Sequence, residues 1–212
     1  MDERSATSLY CAAKGPAVLL SVVIPTLNDE RRLVPTLASL VAGAADGLIV
    51  EAILVDGGST DETEAVADIA GCRLLKGSAD RGARLAEAAA AAKAPWLLFI
   101  APGVVLDEGW IREVRSFLEN VSRHGEARRR AAIFAHGVDG FGMAPKLTSF
   151  RARLGFALGF GPAASQGLLI NTAHYRSRGG HRPGQGSERA FARSIGRRGI
   201  SVLRSRATPL DI

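Results

Sequence analysis

The sequence predicts an α/β protein built on a mostly parallel central sheet with helices on both faces. Two observations carry that prediction. Short apolar runs alternate with helix-like segments through the first half of the chain, as in repeated strand–helix–strand units. The 212 residues are 47% apolar and 23% charged, an ordinary globular composition with room for one large core, so a single domain over residues 1–212 is expected.

Each element has a local reason. "AVLLSVVIP" reads as a strand ending at Pro25, and "NDERRLVPTLASLVAG" as a helix with Asn28 as N-cap and acids in its first turn. "VEAILVD" is a second strand. A Gly-Gly turn follows, then Ser59 with Glu62 three residues on, which reads as a capping box opening the next helix. "CRLLKG" is a short third strand, "RGARLAEAAAAAK" an Ala-rich helix and "PWLLFIA" a fourth strand. "DEGWIREVRSFLENVSR" is an amphipathic helix and "RAAIFAHGV" a further strand. The Gly-rich stretch over 140–161 carries Leu147, Phe150, Leu154 and Leu158 at helical spacing. It reads as a helix packed on the sheet or, alternatively, as an interfacial helix with Arg151 and Arg153 at headgroup level. "SQGLLIN" returns to the sheet, "GSERAFARSIGRRG" is a last basic helix, and "ISVLRSRA" closes the chain.

The net charge of +6 is unevenly spread. Residues 1–122 hold 11 Lys and Arg against 17 Asp and Glu, whereas residues 123–212 hold 16 against 4. The basic second part suits phosphate-rich ligands, anionic lipid or nucleic acid, or is a solvated surface. Cys11 and Cys72 form no CxxC pair and read as free thiols in a reducing compartment. The start "MDER" is acidic where an export signal is basic, and no apolar run approaches the roughly 18 residues that span a bilayer. A cytoplasmic protein is expected, at most peripheral at the inner face of a membrane.

No G-x-G-x-x-G follows the first strand and no G-x-x-x-x-G-K-[ST] occurs, which disfavours nicotinamide, flavin and P-loop chemistry. No G-x-S-x-G occurs either, and His124, His136, His174 and His181 show no metal spacing and read as incidental. What does occur is "SVVIPTLNDE" followed about thirty residues later by "ILVDGGSTDET". Two strand-end motifs in this order, each leading into a helix, resemble the family 2 glycosyltransferases of GT-A fold. The likeness covers about residues 20–110. It is nearest to a small subgroup described as arsenosugar-biosynthesis type, in which D-G-G-S replaces the commoner D-D-G-S. "RGARLAEAAAAAKAPWLLFI" continues it, with Arg84 and Ala86 where the family usually has Gln and Asn. The resemblance implies a nucleotide-binding half over about 18–122 and a basic acceptor-side half over about 123–212.

It also implies a site. Pro25 and Thr26 end the first strand where a nucleotide base lies, and Glu30 reaches back from the first helical turn. Asp56 resembles the family's Asp that accepts a hydrogen bond from the uracil or ribose, a role suited to an acceptor-only carboxylate; its alternative is a turn residue before Gly57-Gly58. Asp61 reads as a helix N-terminal acid. Arg81 suits a diphosphate, because a guanidinium matches phosphate oxygens in a fork, or else is an exposed residue at a helix start. Family enzymes hold Mn2+ or Mg2+ with an Asp-x-Asp at the end of the fourth strand. Here that place falls to Ala101-Pro102-Gly103, so no metal ligand is assigned. Asp107 and Glu108, the nearest acids, read as the start of the next helix.

Near the C-terminus, "GPAASQGLLINTAHYRSRGG" resembles the family's acceptor segment, with Ser165 in the acidic position and Gln166 retained. "GSERAFARSIGRRG" resembles the helix that carries the general base. Matching by Gly199 puts Glu188 on the base and Ser187 on its acidic neighbour; alternatively Glu188 is an exposed acid paired with Arg189 or Arg193. The implied function is inverting transfer of a sugar from a nucleotide-sugar donor, such as a UDP-sugar, to an unknown acceptor. Arg81 and Arg84 would then stabilise the diphosphate in place of a metal. The alternative is an inactive member that binds a nucleotide-sugar or a partner. Nucleic acid is not expected, since no aromatic-interleaved basic platform accompanies the charge.

Overall fold

A computed structural model describes residues 19–137 and 164–211. Eight described strands form one sheet: β1 (Leu20–Thr26), β2 (Ile49–Asp56), β3 (Arg73–Lys76), β4 (Trp96–Phe99), β5 (Val104–Leu106), β6 (Ala131–His136), β7 (Leu168–Asn171) and β8 (Ile200–Pro209). The helices are α1 (Glu30–Ala45), α2 (Thr63–Ile69), α3 (Arg81–Ala91), α4 (Trp110–Arg123), α5 (Thr172–Ser177) and α6 (Ser187–Ile195). The strand order is β3-β2-β1-β4-β7-β6-β8-β5. β3, β2, β1 and β4 run parallel, β7 is antiparallel to both β4 and β6, β8 is parallel to β6, and β5 is antiparallel at its edge. Strands from the two parts of the chain therefore join one mixed sheet.

Successive strand residues point to opposite faces, and both faces are covered. Val22, Ile24, Leu54, Leu98 and Ile100 share a core with Leu33 and Leu40 of α1 and Trp110, Val114 and Leu118 of α4. Val23, Ile53, Val55, Leu97 and Phe99 face Leu85 and Ala88 of α3, Tyr175 of α5 and Phe191 and Ile195 of α6. Burial on both sides is why these strands read as unbroken apolar runs rather than alternating ones.

The expected strands and longer helices are present, with differences at their ends. Asn28 is not the N-cap of α1: it adopts φ +53°, and its Oδ1 accepts from the Thr60 backbone N–H at 2.8 Å. The Ser59/Glu62 capping box does not form. Ser59 Oγ donates to Asp56, and the Glu62 N–H is bound by Glu30 Oε2 at 3.0 Å. The reason is tertiary: the two strand-end loops pack side by side and satisfy each other's orphan N–H groups. Asp61 serves both helices, accepting from the Thr63 N–H and from the Glu30 N–H, each at 3.1 Å. Asp107 and Glu108 precede α4, which starts at Trp110 after Gly109. Two short elements escape the sequence pattern: the three-residue β5, and α5, whose N-cap Asn171 accepts from the Ala173 N–H at 3.0 Å. The stretch 140–161, with both readings of its helical spacing, lies outside the described residues. Among the described residues no helix is long and apolar enough to cross a membrane.

Candidate active site

Strand register gathers the functional segments at one sheet edge. Thr26 pairs with Asp56, so β1 and β2 end level, and Phe99 pairs with Val23, so β4 ends on the same side a little short of them. The first turns of α3 and α6 stand over those ends. Between them lies a pocket lined by Pro25, Phe99, Ala101, Arg81, His181 and Glu188. Three residues expected from sequence, Pro25, Arg81 and Glu188, thus meet at one place although they come from three distant segments.

Asp56 sits just behind this edge and is 4% exposed. Its Oδ2 accepts from the Gly58 N–H at 3.0 Å and the Ser59 N–H at 2.9 Å, while Oδ1 accepts from the Ser59 and Thr26 hydroxyls. A carboxylate has about four acceptor positions, and here each has a donor. Burial pushes its pKa up, but these hydrogen bonds outweigh that and hold the carboxyl below its ordinary range. Asp56 therefore organises the turn in which it sits and fixes Thr26 beside it. Glu30 faces the neighbouring loop through Glu62.

Arg84 is 3% exposed and lies beneath the Gly57 turn. Its Nη1 donates to the Ser78 carbonyl at 2.9 Å and the Ala79 carbonyl at 2.8 Å, leaving Nε without a partner. A Cβ at Gly57 would overlap that guanidinium. The D-G-G-S motif and the arginine at position 84 are thus two sides of one packing solution. Gly57→Ala is expected to cost about 1–3 kcal/mol by overpacking, because Arg84 must leave its two carbonyls to make room. Adding Arg84→Gln should recover part of that loss, a coupling that a double-mutant cycle on urea midpoints measures.

Beyond β4, Ala101-Pro102-Gly103 forms a tight turn with Pro102 and Gly103 buried. The Val104 N–H donates to the Ala101 carbonyl at 3.2 Å. Gly103, at φ +81°, donates its N–H to the Arg32 carbonyl of α1 and accepts from the Leu210 N–H, both at 2.8 Å. The turn is a structural junction between α1 and the end of β8. It offers no side-chain oxygen or nitrogen, and among the described residues no three His, Cys, Asp or Glu side chains cluster as a metal would require. These residues do not fit a divalent cation.

The charged centre of the pocket is an ion pair. Arg81 Nε donates to Glu188 Oε1 at 2.6 Å, joining α3 to α6, so the partner of Glu188 is neither Arg189 nor Arg193. Burial raises the pKa of Glu188, but the hydrogen bond and charge of Arg81 outweigh it and hold the carboxyl below its usual range. Gln166 is buried beside the site, its Nε2 donating to the Phe134 carbonyl at 3.2 Å, and the following Gly167 lines the pocket. His181, read as incidental from sequence, is 4% exposed and forms one wall. Burial presses its pKa down to about 4, so the imidazole is neutral at physiological pH. No spacing signal could have found it, since Tyr175, Phe191 and the strand-end Phe99 converge on it only in the fold.

Residues 21–141 match the family model described as Glycosyl transferase family 2. The chain belongs to that family. The central sheet, curled and flanked by helices, is the GT-A fold of family 2 enzymes. A 56-residue stretch is 41% identical to glucosyl-3-phosphoglycerate synthase of Mycobacterium tuberculosis, covering 26% of this chain and 17% of the synthase. The crystal structure of TarS residues 1–349 from S. aureus superposes with a TM-score of 0.67 at 17% identity, covering 90% of this chain and 60% of that one. The M. tuberculosis synthase in complex with Mn2+, UDP and glucosyl-3-phosphoglycerate superposes at 0.62 with 22% identity, covering 92% of this chain and 72% of that one. At these identities the structural likeness is one of fold.

Proposed function

We propose that this family 2 chain transfers a sugar from a nucleotide-sugar donor, a UDP-sugar first, to an acceptor hydroxyl with inversion. We infer from the shared D-G-G-S at 56–59 that it is of the arsenosugar-biosynthesis type. The single observation that carries the reading is the Arg81–Glu188 pair over the strand ends of this fold. Glu188 takes the proton of the acceptor hydroxyl, whose oxygen forms the new bond to the anomeric carbon. The bond from that carbon to the diphosphate oxygen breaks, and the electron pair leaves with the nucleoside diphosphate.

Arg81 links the two halves of the reaction. An arriving diphosphate offers it phosphate oxygens that a guanidinium grips in a fork. Drawing Arg81 away leaves Glu188 a half-buried carboxylate without its cation, and burial then raises its proton affinity. Docking the leaving group thereby strengthens the base. Arg84, already committed to two backbone carbonyls, supports the turn from below and contributes charge at a distance. Pro25 and Thr26 border the base, and Gln166 braces the acceptor side. Ala101-Pro102-Gly103 takes the place of the family's Asp-x-Asp, so no step is assigned to a metal. Cys72 is a free thiol, in keeping with a reducing, cytoplasmic setting.

One observation favours a second reading, an inactive member that only binds: the turn after β4 lacks every ligand for a leaving-group metal. Calorimetry with UDP distinguishes the outcomes. Binding of equal strength with and without Mn2+ is expected, together with turnover of a UDP-sugar; binding without turnover selects the second reading. No binding of any nucleoside diphosphate overturns both.

A further inference from the structure

The inner pocket holds an unpaired group that the transfer step does not use. His181 is clasped by aromatic rings, with centroid separations of 4.9 Å to Phe99, 5.5 Å to Tyr175 and 4.9 Å to Phe191. The Tyr175 hydroxyl lies 3.0 Å from its Nδ1 and accepts from the His181 backbone N–H at 2.9 Å. Among the described residues Nδ1 is the one acceptor within reach of the phenol proton, and burial lifts the Tyr175 pKa to about 12, which keeps the phenol protonated at physiological pH. Nδ1 is therefore the acceptor and Nε2 carries the hydrogen. Nε2 is buried and has no partner. A buried N–H without an acceptor is costly, and this one belongs to a residue in the wall of a pocket open to ligand, which can supply the acceptor.

The neighbouring polar groups decide what that ligand is. Glu188 lines the same pocket and acts as an acceptor, with its charge balanced by Arg81. The rest of the described wall is apolar: Pro25, Leu85, Phe99, Ile100, Leu168 and Ala192. One N–H donor and one carboxylate acceptor complement a hydroxyl, which accepts once and donates once. An acceptor bearing a carboxylate or phosphate, even one with a free hydroxyl, brings negative charge beside Glu188, and with Arg81 already paired it meets no unbalanced positive charge. We propose that His181 and Glu188 together seat the hydroxyl of an uncharged, partly apolar alcohol, His181 Nε2–H donating to its oxygen and Glu188 accepting its proton. This rests on the transfer reading and names its acceptor class; His181 is a positioning residue.

The test is NMR of the protein labelled with 15N-histidine. A neutral alkyl glucoside, n-octyl β-D-glucoside below its micellar concentration, is expected to shift the His181 Nε2 signal, and 3-phosphoglycerate at equal concentration is not. Without ligand, the signal should report the Nε2–H tautomer and no protonation down to about pH 5. His181→Phe, which keeps the aromatic cage, should abolish binding of the glucoside followed by calorimetry, and His181→Gln, which restores an N–H donor, should recover part of it. Should His181→Phe misfold, Tyr175→Phe serves instead, releasing the tautomer and weakening binding. The proposal is overturned by an Nδ1–H tautomer, by a response to 3-phosphoglycerate alone, by no response to either probe, or by glucoside binding unchanged in the variants. UDP calorimetry on the same sample separates the two ideas: UDP binding with no glucoside response sinks only the acceptor class, and loss of UDP binding sinks the transfer reading.

Discussion

Glu188→Gln is expected to lower sugar-nucleotide turnover by about 10²–10⁴-fold, the usual contribution of a positioned general base, and to leave UDP binding in place. The amide keeps the shape and can still accept from Arg81, so a stability change is not the cause of the loss. The ion pair adds a sharper expectation about pH. In the free protein Arg81 holds Glu188 below its ordinary range, so the acidic limb of kcat/KM, which reports free enzyme, lies below the usual Glu value of about 4.3. The limb of kcat reports the donor-bound complex. There Arg81 has turned to the diphosphate, and burial without the cation lifts the carboxyl, so this limb lies at higher pH. Arg81→Gln should raise the kcat/KM limb toward the kcat limb and weaken UDP binding at the same time. Coincident limbs in the unsubstituted protein would remove the coupling between leaving group and base.

Much of this was legible in the sequence because it depends on short-range chemistry. Apolar runs bounded by Pro25 and Asp56 and the helix-spaced segments between them fix the strand and helix pattern. The assignment of Arg81 and Glu188 to one site was legible through motif order. Their bond to each other was not, because it spans 107 positions and depends on how α3 and α6 dock. Asn28 and Ser59 show the same limit at helix starts. Each has the residue type that caps its own helix, yet the loop next door supplied a better partner. His181 is the clearest case. A single histidine after two glycines carries no pattern, and its role comes from three aromatic rings that converge only through the sheet and two helices.

Asp56→Asn tests whether the second strand-end motif belongs first to the fold. The substitution turns an NH2 group toward donors that now point at carboxylate oxygens, and hydrogen bonds to a buried charged acceptor contribute about 1.5–3 kcal/mol each. A loss of about 3 kcal/mol or more at neutral pH is expected, lowering Tm by roughly 6–12 °C in a chain of this size. The sign with pH follows from a folded pKa below the unfolded value of about 3.9. The carboxylate's contribution is complete above that value and is lost as pH falls through the folded pKa. The gap in urea midpoint between variant and parent should therefore be wide at pH 7 and narrow near pH 3. Because all four acceptor positions are filled, three by the Gly58-Ser59 turn and one by Thr26 of β1, a nucleotide base reaches this carboxylate only by displacing the Ser59 or Thr26 hydroxyl. Stability should then fall by more than UDP affinity does. A variant of unchanged Tm whose UDP affinity drops by orders of magnitude would reverse that ranking and make Asp56 a ligand contact before it is a turn.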